Sequence, residues 1–199
     1  MAAEWHQRYN IAPTQPVTAI LDSQKRNIEF LHWGLIPSWA KDMSIGTRLI
    51  NARAESLTEK PSFRSAFASR RCLILTDGYF EWKKNPKGPS TPYRFTLKSG
   101  KPFAFAGLWE SWRNPKGGEL RSCTIITCAA NEIEIPIHDL MPVMLSREKY
   151  WIWLDKSNPQ ELKSFLVPFP SELMQAAQVG RVVNNAQIDT PECILPIAQ

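Results

Sequence analysis

The stretch Arg71-Cys-Leu-Ile-Leu-Thr-Asp-Gly-Tyr-Phe-Glu-Trp82 reads as an apolar strand, Arg71 to Thr76, that runs into Asp77-Gly78 and then sets one carboxylate between Phe80 and Trp82. Similar short runs lie on both sides of it: Val17 to Leu21 and Ile28 to Trp33 before, then Tyr93 to Leu97, Phe103 to Trp109 and Ser122 to Cys128 after. Each is rich in β-branched or aromatic residues and bounded by Pro, Gly, Asn or Lys clusters, so they read as consecutive strands joined by exposed turns. Lys83 to Pro89 and Arg113 to Gly118 read as two of those hairpin loops. Immediately before Arg71, Pro61 stands where a first helical turn tolerates a missing N–H. Phe63, Ala66 and Phe67 then share one face at i, i+3, i+4, which predicts a short amphipathic helix through Ser69. Ser146 is a suitable N-cap for a helix from Arg147 to Leu154, Asn158-Pro159 opens another through Leu166, and Val179 to Val183 reads as a last strand. The prediction is one α+β domain over residues 1–199, with a β-rich core of mostly antiparallel strands and short flanking helices.

Composition narrows the function classes. The chain has 199 residues, 43% of them hydrophobic and 22% charged, and no apolar run approaches the ~18 residues of a membrane span. Eight Trp and 16 Pro suggest a loop-rich protein with aromatic faces. The net charge of +5 permits an anionic partner such as nucleic acid without requiring one. Cys72, Cys123, Cys128 and Cys193 contain no C-x-x-C pair, which points to free thiols in a reducing, cytoplasmic setting. Three scattered histidines and unpaired cysteines argue against a metal site, and no Walker loop, G-x-G-x-x-G, G-x-S-x-G or H-E-x-x-H occurs. Neither a cofactor nor a metal is expected.

Three places carry candidate chemistry. His138 lies in Ile135-Pro-Ile-His-Asp-Leu-Met-Pro142, where two prolines bracket an irregular segment; it is either an acid–base group or a histidine that satisfies loop carbonyls. Glu81, between two aromatic residues, is either poorly solvated with a raised pKa or an exposed strand carboxylate. Asn51 and Arg53, two apart in an extended run, project to one side, where amide and guanidinium suit an oxygen-rich or phosphate-bearing ligand, or simply end a strand. Trp33 and Trp39, in Trp33-Gly-Leu-Ile-Pro-Ser-Trp39, suit stacking on unpaired bases or burial in the core.

The ordered series Arg8-Tyr-Asn-Ile-Ala-Pro13, Trp33 to Trp39, Ile50-Asn-Ala-Arg-Ala-Glu55, Cys72 to Trp82 and Ile137-His-Asp-Leu-Met-Pro142 resembles the SRAP (SOS-response-associated peptidase) family, which includes proteins that crosslink to abasic sites in single-stranded DNA. The resemblance implies a β-rich fold with a groove for single-stranded DNA. It also implies self-removal of the initiator Met to expose a cysteine, whose amine and thiol form a thiazolidine with the abasic aldehyde. By the same resemblance Asn51 holds the adduct, Glu81 and His138 handle protons, Arg53 grips phosphate, and Asn10, Pro13, Trp33 and Trp39 contact the strand. The implied partner is single-stranded DNA with abasic sites, and a monomer suffices.

Two departures stand out. The family begins Met-Cys-Gly-Arg-Phe where this sequence begins Met1-Ala2-Ala3-Glu4-Trp5-His6, so an N-terminally shortened chain, inactive in thiazolidine crosslinking as written, is expected. Leu140 stands where relatives commonly carry a basic residue, which predicts weaker DNA binding. The competing functions are a non-covalent binder of single-stranded or junction DNA and a thiol peptidase acting on other proteins.

Overall fold

The computed structural model describes residues 6–114, 117–155 and 159–197. Its strands are β1 (Pro16–Ile20), β2 (Ile28–Trp33), β3 (Asn51–Arg53), β4 (Arg71–Thr76), β5 (Tyr79–Lys83), β6 (Thr91–Leu97), β7 (Phe103–Arg113), β8 (Glu119–Ala129), β9 (Leu140–Pro142), β10 (Met144–Leu145) and β11 (Met174–Gln178). The helices are α1 (Pro61–Ser69), α2 (Tyr150–Leu154) and α3 (Pro159–Leu162), with short 3-10 turns between elements.

Five strands close on themselves. β4 pairs antiparallel with β1 and β7, β1 with β2, and β7 with β8, while β2 and β8 join in parallel through His32↔Ser122 and Trp33↔Cys123. Closure leaves the ring without a free edge. It depends on the long β7, which faces β4 from Phe103 to Leu108 and β8 from Gly107 to Arg113. Gly107 belongs to both ladders, and a Cβ there would come within 2.8 Å of both Cys72 Sγ and Ile74 Cδ1, so the two strands can approach only at a glycine. A separate three-stranded sheet, β11-β6-β5, packs on the barrel through Tyr79, whose ring stacks on Phe95 and meets Phe105 edge-on.

Helix α1 forms with the predicted bounds and buries Phe63, Ala66 and Phe67; each phenylalanine contributes roughly 1.5–3 kcal/mol. Arg71 ties the helices to the barrel. It is buried, and its guanidinium donates to the Phe67, Ala68 and Trp153 carbonyls at 2.6, 2.9 and 2.7 Å, and to that of Asp155. These are carbonyls at helix C-termini, which lack partners within their own helix.

Toward the C-terminus the outcome differs from expectation. The last strand is Met174–Gln178, not 179–183, because Val179 and Val183 sit a helical turn apart and close over Cys193, with Arg181–Asn184 forming a 3-10 turn. The true strand hides its periodicity, since its middle residues Gln175 and Ala176 are exposed. Ser146 occupies its N-cap position without a capping side-chain bond, and the helix begins as the 3-10 turn Arg147–Lys149. Asn158 and the first five residues, on which the expectation about the N-terminus falls, lie outside the described residues. All four cysteines are unpaired and buried. Among the described residues no helix is long and apolar enough to cross a membrane.

Candidate active site

Strand β8 is the floor of the site. Along Ile125–Ala129 it is flanked by β3 in parallel (Asn51↔Ile125, Arg53↔Thr127) and by β9 antiparallel (Thr127↔Pro142, Ala129↔Leu140). Strand pleating buries Ala52 completely and leaves Asn51 and Arg53 exposed on one side. Trp33 helps to fix this geometry, because its indole N–H donates to the carbonyl of Ile50 at 3.0 Å, immediately before β3. The cavity above β8, of about 200 Å³, is lined by Asn51, Arg53, Thr127, Leu140 and Pro142, by Lys60 just before α1, and by Glu81 and His138.

Glu81 comes from β5, in register with Tyr93 of β6. Burial pushes its carboxyl above the ordinary range, while nearby His138 and the backbone N–H of Trp82 hold it part of the way down. His138 follows a tight turn in which its N–H donates to the Glu134 carbonyl at 2.9 Å. Its Nδ1 lies 2.8 Å from the Leu140 carbonyl and 3.2 Å from the Leu140 N–H; in the tautomer with the proton on Nδ1, which the shorter contact suits, the Nε2 lone pair is available. The arrangement brings a carboxyl and an imidazole together in the lining of a small polar cavity.

Sequence reading missed four groups here. Thr127 is buried in the floor, with an Oγ1 that has no hydrogen-bond partner. Lys60 adds an amine to the lining. Behind Glu81, Tyr79 donates its hydroxyl to the fully buried Glu134, whose other oxygen is unpartnered. Burial pushes the Glu134 carboxyl up to about 8, the Tyr79 hydroxyl pulls it down, and the charge of Glu81 adds to the rise. Tyr79 and Glu81 point the same way along β5, a spacing legible in sequence, but the partner residue Glu134 is not.

The remaining expected contacts divide. Trp39 is 59% exposed and Pro13 is exposed, whereas Trp33 is half-buried against the core. Asn10 is corrected: it is 4% exposed, and its Nδ2 donates to the carbonyls of Val183, Asn185 and Ile188 at 3.0–3.2 Å. No amide hydrogen is left for a strand. Among the described residues no group of three or more His, Cys, Asp or Glu is placed to hold a metal ion.

The chain is 46% identical over 194 residues to the abasic site processing protein YoqW of Bacillus subtilis, covering 96% of this chain and 87% of that one. It is 33% identical over 198 residues to the abasic site processing protein HMCES of Xenopus tropicalis, covering 88% of this chain and 59% of the longer relative. A crystal structure of a Bacteroides thetaiotaomicron protein superposes with a TM-score of 0.85 at 28% identity, over 93% of this chain and 82% of that one. The family described as SOS response associated peptidase (SRAP) matches residues 1–186. With most of its length and its β-rich core matched, the chain belongs to the SRAP family.

Proposed function

We propose that this chain recognises abasic sites in single-stranded DNA and engages the base-free sugar in the cavity above β8. The observation that carries the reading is a cavity of about 200 Å³ whose polar side chains Asn51, Arg53 and Thr127 have no side-chain partner among the described residues. Pockets for drug-sized ligands run about 300–1,000 Å³; this one suits a deoxyribose without its base. Buried or clustered polar groups are ordinarily paired, so a set left unpaired is prepared for a ligand.

The ring-opened sugar carries an aldehyde at C1. Asn51 and Thr127 bind the sugar oxygens, Arg53 meets a flanking phosphate, and the exposed Trp39 and Pro13 offer an apolar platform for neighbouring bases. An amine that adds to the aldehyde gives a carbinolamine, and loss of water gives an imine. Both steps move protons, which Glu81 and the Nε2 of His138 accept and return. A thiazolidine would need a thiol adjacent to that amine. The four internal cysteines are buried, and burial raises the Cys72 and Cys123 thiols and pushes Cys128 up to about 12.

Fluorescence anisotropy with labelled oligonucleotides tests the reading. The chain should prefer a single strand with one abasic site over the same strand with all bases and over duplex. Its log affinity should fall with log salt at about −0.7 per phosphate contacted. Equal affinity for all three strands, or a flat salt response, would overturn it.

A further inference from the structure

Resting on the reading of the cavity above, we infer that Glu134 is a positioning residue for both groups that move protons: its backbone holds the turn that presents His138, and its side chain backs Glu81 as a neutral carboxylic acid. Three sets of contacts converge on it. Its carbonyl accepts the N–H groups of Ile137 and His138 at 2.7 and 2.9 Å, and its own N–H donates to the Asn131 carbonyl at 3.0 Å, so the turn closes at Glu134. Asn131 pins that turn to the C-terminal segment, donating its Nδ2 to the Phe169 carbonyl at 2.8 Å. The Glu134 side chain is fully buried and accepts the hydroxyl of Tyr79, a ring held between Phe95 and Phe105. Tyr79 stands two residues before Glu81 in β5, on the same side of the strand.

Burial without a cation decides which carboxyl keeps a proton. Glu110 is also buried, but the Arg70 guanidinium donates to it, with Nε at 3.0 Å. Glu134 has a phenol on one oxygen and, among the described residues, no hydrogen-bond partner on the other. An ionised carboxylate so placed is costly, and a second carboxylate close by makes it costlier, so one of the two stays protonated. Glu134 is the deeper one. Burial raises it to about 8 against the pull of the Tyr79 hydroxyl, and the charge of Glu81 adds to the rise. Glu81 is only half-buried and has His138 beside it, so it ionises first. From the elements packed around Glu134, the titratable groups that face it are Tyr79 and Glu81 on β5 and Cys128 on β8. Burial first, and the charge of Glu134 next, raise both Tyr79 and Cys128, so the phenol remains a donor and the thiol remains neutral. At neutral pH the pair thus carries one charge, on Glu81. Above about pH 8 Glu134 ionises behind it, and Glu81 then gives up a proton less readily.

The test follows the Glu81 carboxyl carbon and the His138 ring nitrogens by NMR across pH, in the full chain carrying isotope-labelled Glu and His. Besides its own titration, each signal should show a further inflection near pH 8. Glu134→Gln should abolish that inflection. Tyr79→Phe keeps the ring and removes the hydroxyl that pulls Glu134 down, so it should move the inflection to higher pH, and it decides the matter independently should Glu134→Gln not fold. In parallel, each protein reacts with a single-stranded oligonucleotide containing one abasic site and is quenched at intervals with borohydride, which reduces an imine to a stable secondary amine; denaturing electrophoresis reads the trapped adduct. The ratio of the Glu134→Gln rate to the parental rate should rise about threefold or more from pH 7 to pH 9. A parent without the inflection, or one that Glu134→Gln retains, would show a purely structural glutamate and overturn the inference. A rate ratio constant with pH would also overturn it, and in each case adduct formation would leave the abasic-site reading standing. Absence of both adduct and abasic preference would overturn that reading, and with it the role given to Glu134.

Discussion

Two polar clusters, each with members in the quoted sequence motifs, have opposite fates. In the first, Arg8, Tyr9 and Asn10 clasp the C-terminal segment: Asp189 pairs with the Arg8 guanidinium and accepts the N–H groups of Tyr9 and Asn10 at 2.6 and 2.8 Å, while Arg8 also reaches Gln15 at 2.7 Å. In the second, around β3, the side chains of Asn51, Arg53 and Lys60 are exposed and unpaired, and Thr127 is buried and unpaired. The pairing of the first cluster holds the chain together, and the lack of pairing in the second leaves its groups available to a ligand. Motif membership alone does not separate the two; the accounting of hydrogen bonds does.

The sharpest way to break this contrast is through Glu81 and His138, to which the proposed function gives the proton transfers. Glu81→Gln and His138→Ala should each slow trapped-adduct formation by about 10²-fold or more. Neither should move the melting temperature appreciably, because neither side chain anchors the fold. A variant that melted early yet reacted at the parental rate would put the residue in the structural class.

Glu134 belongs to neither cluster, being buried and only half-paired, and it gives the next largest effect. Its folded pKa of about 8 lies above the ordinary carboxylate value, so the folded state holds the proton more tightly than the unfolded chain does. The stabilisation is complete below the unfolded value, declines as pH rises toward about 8, and levels off beyond it. Glu134→Gln removes the titration. Relative to the parent it should gain about 2–4 kcal/mol between pH 4 and pH 9, read from denaturant unfolding of both proteins at each pH. A constant difference across that window would mean that the carboxyl ionises freely. For the clasp, Asp189→Ala leaves two backbone N–H groups and the Arg8 Nε–H without their acceptor and should cost about 2–3 kcal/mol, lowering the melting temperature by roughly 5–10 °C. Well below melting, adduct formation should proceed at the parental rate.

Local pattern revealed what local physics controls. The apolar face of α1, the shared side of Asn51 and Arg53, and the awkward solvation of Glu81 between Phe80 and Trp82 all follow from spacing of a few residues. The closed ring does not, because it depends on Gly107 facing Cys72 on one side and Ile125 on the other, partners that no short window contains. Lys60 reads in sequence only as the residue before a helix, and Thr127 only as the interior of a strand. They enter the cavity because β3 and β9 flank β8 and bring distant segments together. Asn10 differs in the opposite direction: the resemblance set it against the strand, but the C-terminal segment folds over it.

The smallest effect separates two arginines. Arg8 and Arg53 both belong to motifs with family resemblance, and sequence offers no reason to assign them different work. Asp189 neutralises Arg8, so Arg8→Gln should leave the salt dependence of single-strand binding unchanged even where it costs stability. Arg53 has no such partner among the described residues and stands on the cavity lining, so Arg53→Gln should reduce the log–log salt slope by about 0.7, the loss of one phosphate contact. Affinity should weaken by a similar factor for abasic and intact strands, because a phosphate contact positions the strand without reading the missing base. If Arg8→Gln changed the slope and Arg53→Gln did not, the clasp would be the surface that meets DNA, and the division between paired and unpaired clusters would have to be reversed.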